Sequence, residues 1–377
     1  MKKITILNQD SGYLMIDLAN AFDEAGYEVS LITGRLVQRN TPLNASIRLY
    51  RVAEYRKTSI FSQFISAVFA FVQMIYLVWV KAKGTHLLIV TNPLFSPLLP
   101  FFVKNSYSLF FYDIHIESPA KFLPFRNKSI LSRLWVWLHK KCLHNATSIF
   151  TLTEGMKTHL EAFVHNKMVS VVPVWTDSNY LKPVPKEKNA FVLANKLEDK
   201  FIVMYSGNLG LGNGLEVLLE AAKKVKNPKV QILIVGEGTG KGSLQKKAKE
   251  LILPNVRFLE WQPTEMLPFS LAAADIAVAT LSSLKEGNSI PSKFFNYLAV
   301  GAPILGLAPE SSDLANLIAK YDVGRNFSNP QVEELIDFIE LMTEDSHRMY
   351  YSDQSLKAAK DFTKENAQLL IRNLNCN

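Results

Sequence analysis

At 377 residues, 48% hydrophobic and 20% charged, the chain carries enough apolar mass for two or three domains of ~100 to 200 residues, each with a full core. Its formal net charge is +8, but no nucleic-acid motif or dense basic run accompanies that charge, so nucleic acid is excluded and an anionic membrane surface is the better partner. Two cysteines, Cys142 and Cys376, give no disulfide framework and suit a reducing cytoplasm.

In chain order, Met1-Lys2-Lys3 enters a strand of only four residues, Ile4 to Leu7, before polar Asn8-Gln9-Asp10, which does not read as a signal peptide. Tyr13 to Ala25 is an amphipathic helix ended by Gly26, and Glu28 to Thr33 is the next strand. Further strands are expected at Ile47 to Val52, His86 to Val90, Ser108 to Asp113, Ser148 to Leu152 and Val169 to Pro173. This alternation predicts a doubly wound α/β domain over residues 1–180. Ligands of such sheets bind beyond the carboxyl ends of the strands. The candidates there are Asn8 to Gly12, with Asp10, Ser11 and Gly12, then Thr91-Asn92-Pro93, then Asp113 to Glu117. Alternation along an extended segment aims Asp113, His115 and Glu117 to one side, a trio able to handle protons. Asp113 as a loop cap and His115 as a surface group fit the same pattern. His139, His144 and His165 have no metal-ligand spacing and read as ordinary helix residues.

Between those strands lies Ile60 to Val80, 21 residues rich in aromatics and flanked by Arg56, Lys57, Lys81 and Lys83. Its length approaches that of a membrane span. Ser62, Gln63, Ser66 and Gln73 interrupt it, and spanning would part the strands on either side. An amphipathic helix that docks on the core and dips into the membrane interface is the preferred reading; a buried crossover helix fits the pattern as well. Phe122-Leu123-Pro124-Phe125-Arg126 with Trp135, Trp137, Lys140 and Lys141 would extend the same surface.

Residues 181–199, with Pro183 and Pro185 among charges, read as a linker. A second domain over 200–350 opens with the buried strand Phe201 to Ser206, which runs into Gly207-Asn208-Leu209-Gly210-Leu211-Gly212-Asn213-Gly214 before the helix Leu215 to Lys224. Glycines between a strand and a helix let backbone N–H groups approach a phosphate. The spacing is not that of the dinucleotide fingerprint, although Glu237, after the strand Val230 to Val235, could pass for a ribose-binding acid. Gly238-Thr239-Gly240-Lys241-Gly242 fails as a phosphate-binding P-loop, because Val235 and Gly242 stand at its two ends. In Ile290-Pro291-Ser292-Lys293, Lys293 falls in the first turn of a helix, where a cation is unfavourable unless an anion binds. Ser289 or Ser292 can supply a capping oxygen, Phe294, Phe295, Leu298 and Ala299 pack inward, and Gly301 ends the helix. A closing helix, roughly Ser352 to Leu374 within a segment 351–377, crosses back to the first domain if the family pattern below is followed.

Tyr205-Ser206-Gly207-Asn208, Gly214-Leu215-Glu216, Val235-Gly236-Glu237-Gly238, Phe258-Leu259-Glu260-Trp261, Ala274-Asp275-Ile276 and Pro291-Ser292-Lys293 together resemble the C-terminal half of a glycosyltransferase of the retaining family 4. The order and spacing cover most of residues 200 to 310. In the first half, Asp113-Ile114-His115-Ile116-Glu117-Ser118 is similar to the family's Asp-Leu-aromatic-Pro-Glu-Ser, with His115 and Ile116 replacing the aromatic and the Pro.

The resemblance implies a GT-B architecture, two Rossmann-like doubly wound α/β domains facing a central cleft. It also implies transfer of a sugar, with retention, from a nucleotide-sugar donor, UDP-linked by preference or GDP-linked. No metal or other cofactor is required. The acceptor would be a hydroxyl of a lipid-linked glycan in bacterial surface-polysaccharide synthesis, worked on by a peripheral enzyme at the inner face of the cytoplasmic membrane. Lys293 would hold the diphosphate, Asn296 the ribose, and the Glu237 and Trp261 loops the base. Gly207, Asn208, Asn213, Gly214, Asn288, Ser289 and Ser292 would line the donor site; Asp10, Ser11 and Gly12 would meet the acceptor; Asp113, His115 and Glu117 would serve catalysis. The chain departs from many relatives at Asn288 and Asn296, where two glutamates are usual, and at Asn208 and Asn213, where Arg and Lys are usual. Lys293 is then the one basic residue of the matched motifs, which implies that it bears more of the diphosphate charge. Two other classes fit the pattern: a non-catalytic glycan-assembly subunit on the same fold, and an NAD-dependent oxidoreductase using the loop at 207–214.

Overall fold

The structure, a computed structural model, describes residues 2–56, 60–116, 130–164, 167–210, 212–281, 289–329 and 331–374. It comprises two α/β units: Met1–Val174 with Gly287–Ser289 and Lys364–Asn377, and Trp175–Glu286 with Ile290–Thr363.

In the first unit, β1 (Lys3–Leu7), β2 (Asp10–Ser11), α1 (Tyr13–Glu24), β3 (Glu28–Thr33), β4 (Arg35–Leu36) and β5 (Arg48–Arg51) are followed by α2 (Ile60–Lys81) and β6 (His86–Val90). A 3-10 turn at Ser96–Phe101 leads to β7 (Tyr107–Phe111), α3 (Ile130–Asn145), β8 (Ile149–Thr151), α4 (Glu154–Glu161) and β9 (Val169–Val171). The main sheet has strand order β5-β3-β1-β6-β7-β8-β9, with parallel pairings throughout; β2 and β4 form a small parallel ladder of their own. Ile4, Ile6, Leu7, Leu31, Leu87 to Val90 and Phe110 are buried. Such predominantly apolar strands belong to a parallel sheet covered on both faces.

Crossover α2 is not covered in the way a core helix is. Ala67, Ala70, Met74 and Val78 form its one buried stripe, and only 28% of its most apolar window is buried. Its 21 residues Phe61–Lys81 are long and apolar enough to cross a membrane. They do not span one, because β5 and β6, at the two ends of the helix, are strands of the same sheet. The helix is thus a crossover of the sheet with one buried stripe. Phe122 to Arg126 lie outside the described residues.

The second unit holds α5 (Ala190–Asn195), β10 (Phe201–Ser206), α6 (Glu216–Lys224), β11 (Val230–Val235), α7 (Lys241–Glu250), β12 (Val256–Leu259), α8 (Leu267–Ala272), β13 (Ile276–Thr280), α9 (Lys293–Ala299), β14 (Ile304–Leu307), α10 (Asp313–Tyr321), β15 (Gly324–Phe327), α11 (Val332–Leu341) and α12 (Asp345–Ala359). Its sheet runs β12-β11-β10-β13-β14-β15, again parallel. The pleat divides β10 by turns: Phe201, Val203 and Tyr205 enter one core layer with α6 and α11, while Ile202 and Met204 enter the other with α5.

Two segments differ from the sequence expectation. Part of the expected linker is helical, because Asn189 Oδ1 caps α5 by accepting from Phe191 N at 3.0 Å and Val192 N at 3.2 Å, and Phe191 and Val192 are core residues. The expected closing helix is two helices. The first, α12, packs on α9, and α13 (Asn366–Arg372) packs on α1 of the first unit.

Candidate active site

Equal register along β10, β11 and β12 (Ser206 beside Val235 beside Leu259) sets the loops after them side by side at the carboxyl edge of the second sheet. The loops are zipped together by backbone: Gly207 N donates to Val235 O at 2.9 Å, Leu209 N to Glu237 O at 2.8 Å and Gly240 N to Leu209 O at 2.7 Å. These bonds explain the glycines. A Cβ on Gly236 would lie 2.0 Å from Gly207 O, and one on Gly238 2.4 Å from Leu209 O, both at positive φ. The expected phosphate cradle is corrected to that extent, since the N–H groups of Gly207 and Leu209 hold the neighbouring loop.

Above this layer sits Lys293, the first residue of α9. Its ammonium lies 3.5 Å from the centroid of the Tyr205 ring, in cation–π contact. A Cβ on Gly207 would come within 2.5 Å of the same Nζ, so Gly207 makes the room that the lysine occupies. Tyr205 is buried, and burial raises its phenol pKa against the hydrogen bonds from Thr280 and Asn213. Its hydroxyl donates to Asn208 O at 2.7 Å and accepts from Asn213 Nδ2 at 3.0 Å. The same amide donates to Asn208 O at 2.9 Å. The Asn213 amide therefore shapes the loop around Tyr205. Asn208 itself is exposed, as is Gly214.

Helix α9 is fixed from behind by Tyr297, which is buried and whose hydroxyl accepts from Ser206 N at 3.0 Å. Ser292 is its N-cap residue but makes no side-chain capping bond, and Ser289 is buried; the serine cap expected from the sequence is absent. Asn296 Oδ1 accepts from Thr176 Oγ1 at 2.7 Å, which leaves its N–H₂ as the donor toward a ligand. Glu237 is exposed and pairs with Lys241 at 2.5 Å, and Trp261 is exposed just past β12. Asn288 lies outside the described residues. Beside the loop, a cavity of about 560 Å³ is lined by Asn213, Gly214, Glu216, Pro309 and Asn329, among others. Asp275, prominent in the sequence motifs, is structural. It accepts from Ile202 N at 2.7 Å and Lys186 Nζ at 2.5 Å, holding the start of β10.

In the first unit, a cavity of about 270 Å³ opens beyond β6 and β7. Thr91, Asn92, Tyr112, Asp113 and His115 form one wall, and Tyr55, Gln63, Phe64 and Ala67 form another. Ile114 and Ile116 are buried while Asp113 and His115 line the cavity, which is the alternation the sequence predicts. Glu117 lies outside the described residues. The remaining candidates behave differently from one another. Asp10 is held by Arg35 in a bidentate pair at 2.7 and 2.8 Å. Ser11 is fully buried and its hydroxyl accepts from Thr33 at 2.9 Å and Asn8 at 3.2 Å. Ser11 thus supports the turn from within and does not reach a ligand. Gly12 begins α1, with nothing within 4 Å of its Cβ position.

Sequence reasoning assigned no role to Tyr297, none to Tyr205 beyond its place in a matched motif, and only an ordinary one to His139. Spacing alone made His139 ordinary, but it is buried and shares a small void with Asp113 and His115. Its Nδ1 donates to Trp135 O at 2.9 Å, which fixes the neutral tautomer, and burial takes its pKa down to about 4. Among the described residues, no cluster of three metal-ligating side chains occurs.

Residues 186–371 match the family described as glycosyl transferases group 1. The chain is 25% identical over 283 residues to the probable glycosyltransferase WbjE of Pseudomonas aeruginosa, covering 74% of this chain and 71% of that one. It is 31% identical over 179 residues to the putative colanic acid biosynthesis glycosyl transferase WcaI of Escherichia coli K12, covering 46% and 44%. The structure superposes with a TM-score of 0.71 on HepE of Anabaena in complex with UDP and glucose, at 15% identity over 99% of this chain and 98% of that one.

Proposed function

Since residues 186–371 belong to the group 1 glycosyl transferases and both units have the Rossmann-like form of a GT-B enzyme, we propose that the chain transfers a sugar, with retention, from a nucleotide-sugar donor to a hydroxyl of a lipid-linked glycan. The single observation that carries this reading is the Lys293 ammonium seated over Tyr205 in the space left by Gly207. It is a cation held at a carboxyl sheet edge, where α/β proteins bind ligands.

In this reading the donor diphosphate meets Lys293, the ribose meets the Asn296 amide, and the base stacks at Trp261. UDP is favoured over GDP, in keeping with the UDP bound by HepE. The acceptor hydroxyl enters the cavity at Asp113 and His115. On the face of the sugar that the diphosphate leaves, the acceptor oxygen bonds to the anomeric carbon as the bond from that carbon to the diphosphate breaks, which keeps the configuration. The nucleoside diphosphate leaves with the electron pair, stabilised by the Lys293 charge. The hydroxyl proton passes to Asp113 or His115, general bases at hydrogen-bonding reach of a cavity occupant. Colanic acid and related surface glycans, the products implied by the names of relatives, suggest the acceptor class. Because Lys293 offsets the leaving charge, the reading requires no metal.

Binding of UDP-sugars, GDP-sugars, free nucleotides and NAD to wild type and Lys293→Ala tests the donor assignment. Selective binding of one nucleotide family, weakened ~30-fold or more by the substitution as loss of a charge-assisted contact requires, supports it. Binding of NAD alone, or binding indifferent to Lys293, refutes it. Asp113→Asn is expected to lower transfer ~100-fold or more with donor affinity unchanged.

A further inference from the structure

The outward face of α2 carries Phe61, Ile65, Phe69, Val72, Tyr76 and Trp79, at steps of three and four residues. It lies opposite the buried stripe, and Phe61 is 73% and Phe69 63% exposed. A large apolar face that no described residue covers marks a contact with something outside the molecule. It is not confined to one helix. Trp79 Nε1 donates to Phe102 O at 2.9 Å, joining α2 to the turn at Phe101 and Phe102. Lys141 then stands 5.7 Å from the Phe101 ring and 5.4 Å from the Trp137 ring, joining that turn to α3. Helix α3 continues the surface with exposed Ile130, Leu134 and Trp137, while Trp135, His139 and Cys142 face inward.

Charge identifies the occupant. Among the described residues of 55–153, the basic side chains are Arg56, Lys81, Lys83, Lys104, Arg133, Lys140 and Lys141 and the one acid is Asp113. Lys81, Arg133, Lys140 and Lys141 are exposed beside the apolar residues. Aromatic and aliphatic side chains bordered by cations match a bilayer interface with anionic headgroups. A second copy of this chain would bring the same positive charge against itself.

We propose that the face formed by α2, the turn at residues 96–102 and α3 docks on an anionic lipid bilayer, with α2 lying in the interface plane. On the transfer reading above, this deepens the acceptor assignment. Gln63, Phe64 and Ala67 of the same helix line the cavity that holds Asp113 and His115, so an acceptor with a lipid tail reaches that cavity while its tail stays in the bilayer.

The test is co-sedimentation of the full chain with vesicles of phosphatidylcholine alone or mixed with phosphatidylglycerol. Two variants accompany the wild type: one with Phe61, Phe69, Tyr76 and Trp137 changed to Ser, and one with Lys81, Lys140 and Lys141 changed to Gln. Circular dichroism and UDP binding check folding and the donor site separately. Wild type is expected to bind the mixed vesicles, with a ~10-fold or greater loss in each variant and weakening by added salt. Absence of wild-type binding, equal binding by both variants, or a wild-type dimer that the Ser variant dissociates without any vesicle affinity overturns the proposal. None of these outcomes bears on Lys293, so failure here and failure of the donor assignment are separable.

Discussion

Gly207→Ala tests the geometry around Lys293, in the proposed donor site, without touching a charge. The added Cβ would lie 2.5 Å from Lys293 Nζ and 3.0 Å from its Cε, on a backbone with φ +148°. The lysine is flexible and must swing aside by about 1 Å to restore van der Waals distance, giving up its place 3.5 Å from the Tyr205 centroid. Loss of that cation–π contact costs about 0.5 to 2 kcal/mol. The strained backbone adds about 1 to 3 kcal/mol. In a Lys293→Ala background only the backbone part remains, so a double-mutant cycle in denaturant should give a coupling of about 1 kcal/mol. UDP-sugar binding should fall in each single variant, and the double variant should bind no worse than Lys293→Ala. A coupling within about 0.3 kcal/mol of zero, or full donor binding by Gly207→Ala, refutes the placement of the ammonium beside Gly207.

Asp275→Ala should destabilise the second unit by about 2 to 4 kcal/mol in urea denaturation, because it leaves Ile202 N and the Lys186 ammonium without their acceptor at a carboxylate only 10% exposed. Gly236→Ala should cost about 3 to 5 kcal/mol or prevent folding, since its Cβ would meet Gly207 O at 2.0 Å at φ +136°. Gly242→Ala, with open space around it near the start of α7, should instead leave thermal stability unchanged or raise it by about 0.5 to 1 kcal/mol. Burial lowers His139 from its ordinary 6.5 to about 4. The unfolded chain therefore takes up a proton that the folded one refuses, and stability present above pH 6.5 is lost as pH falls toward 4, then levels. The loss should approach about 3 kcal/mol. Denaturation of wild type and His139→Gln between those pH values should show the difference; parallel curves would contradict the buried neutral imidazole.

Much of the fold was legible because parallel sheets write themselves into sequence. Buried on both faces, β1, β6, β10 and β11 are predominantly apolar, and the strand-glycine-helix passage from Ser206 to Glu216 marks the carboxyl edge. The alternation of Asp113, Ile114, His115 and Ile116 likewise follows from a local rule of extended chain, with the two isoleucines turned inward. Lys293 stood out for an equally local reason, as a lysine where a helix dipole disfavours one.

Contacts between segments distant in sequence were decided elsewhere. Composition shows that 207–214 is glycine-rich, but only the approach of β11's loop shows that Gly236 and Gly238 are needed for backbone packing as well as for any ligand. Tyr205 and Tyr297 read as core residues, and their roles arise because β10 and α9, ninety residues apart, meet at Ser206. Ser11 has the look of a loop hydroxyl until Thr33 and Asn8 enclose it. The periodicity of α2 defines two stripes, yet periodicity cannot say whether a second layer covers the outer one. That was settled by folding, which buries the stripe from Ala67 to Val78 and leaves the aromatic stripe exposed. Local propensity and polarity are properties of a residue and its neighbours in the chain, whereas burial and pairing belong to the surfaces that folding brings together.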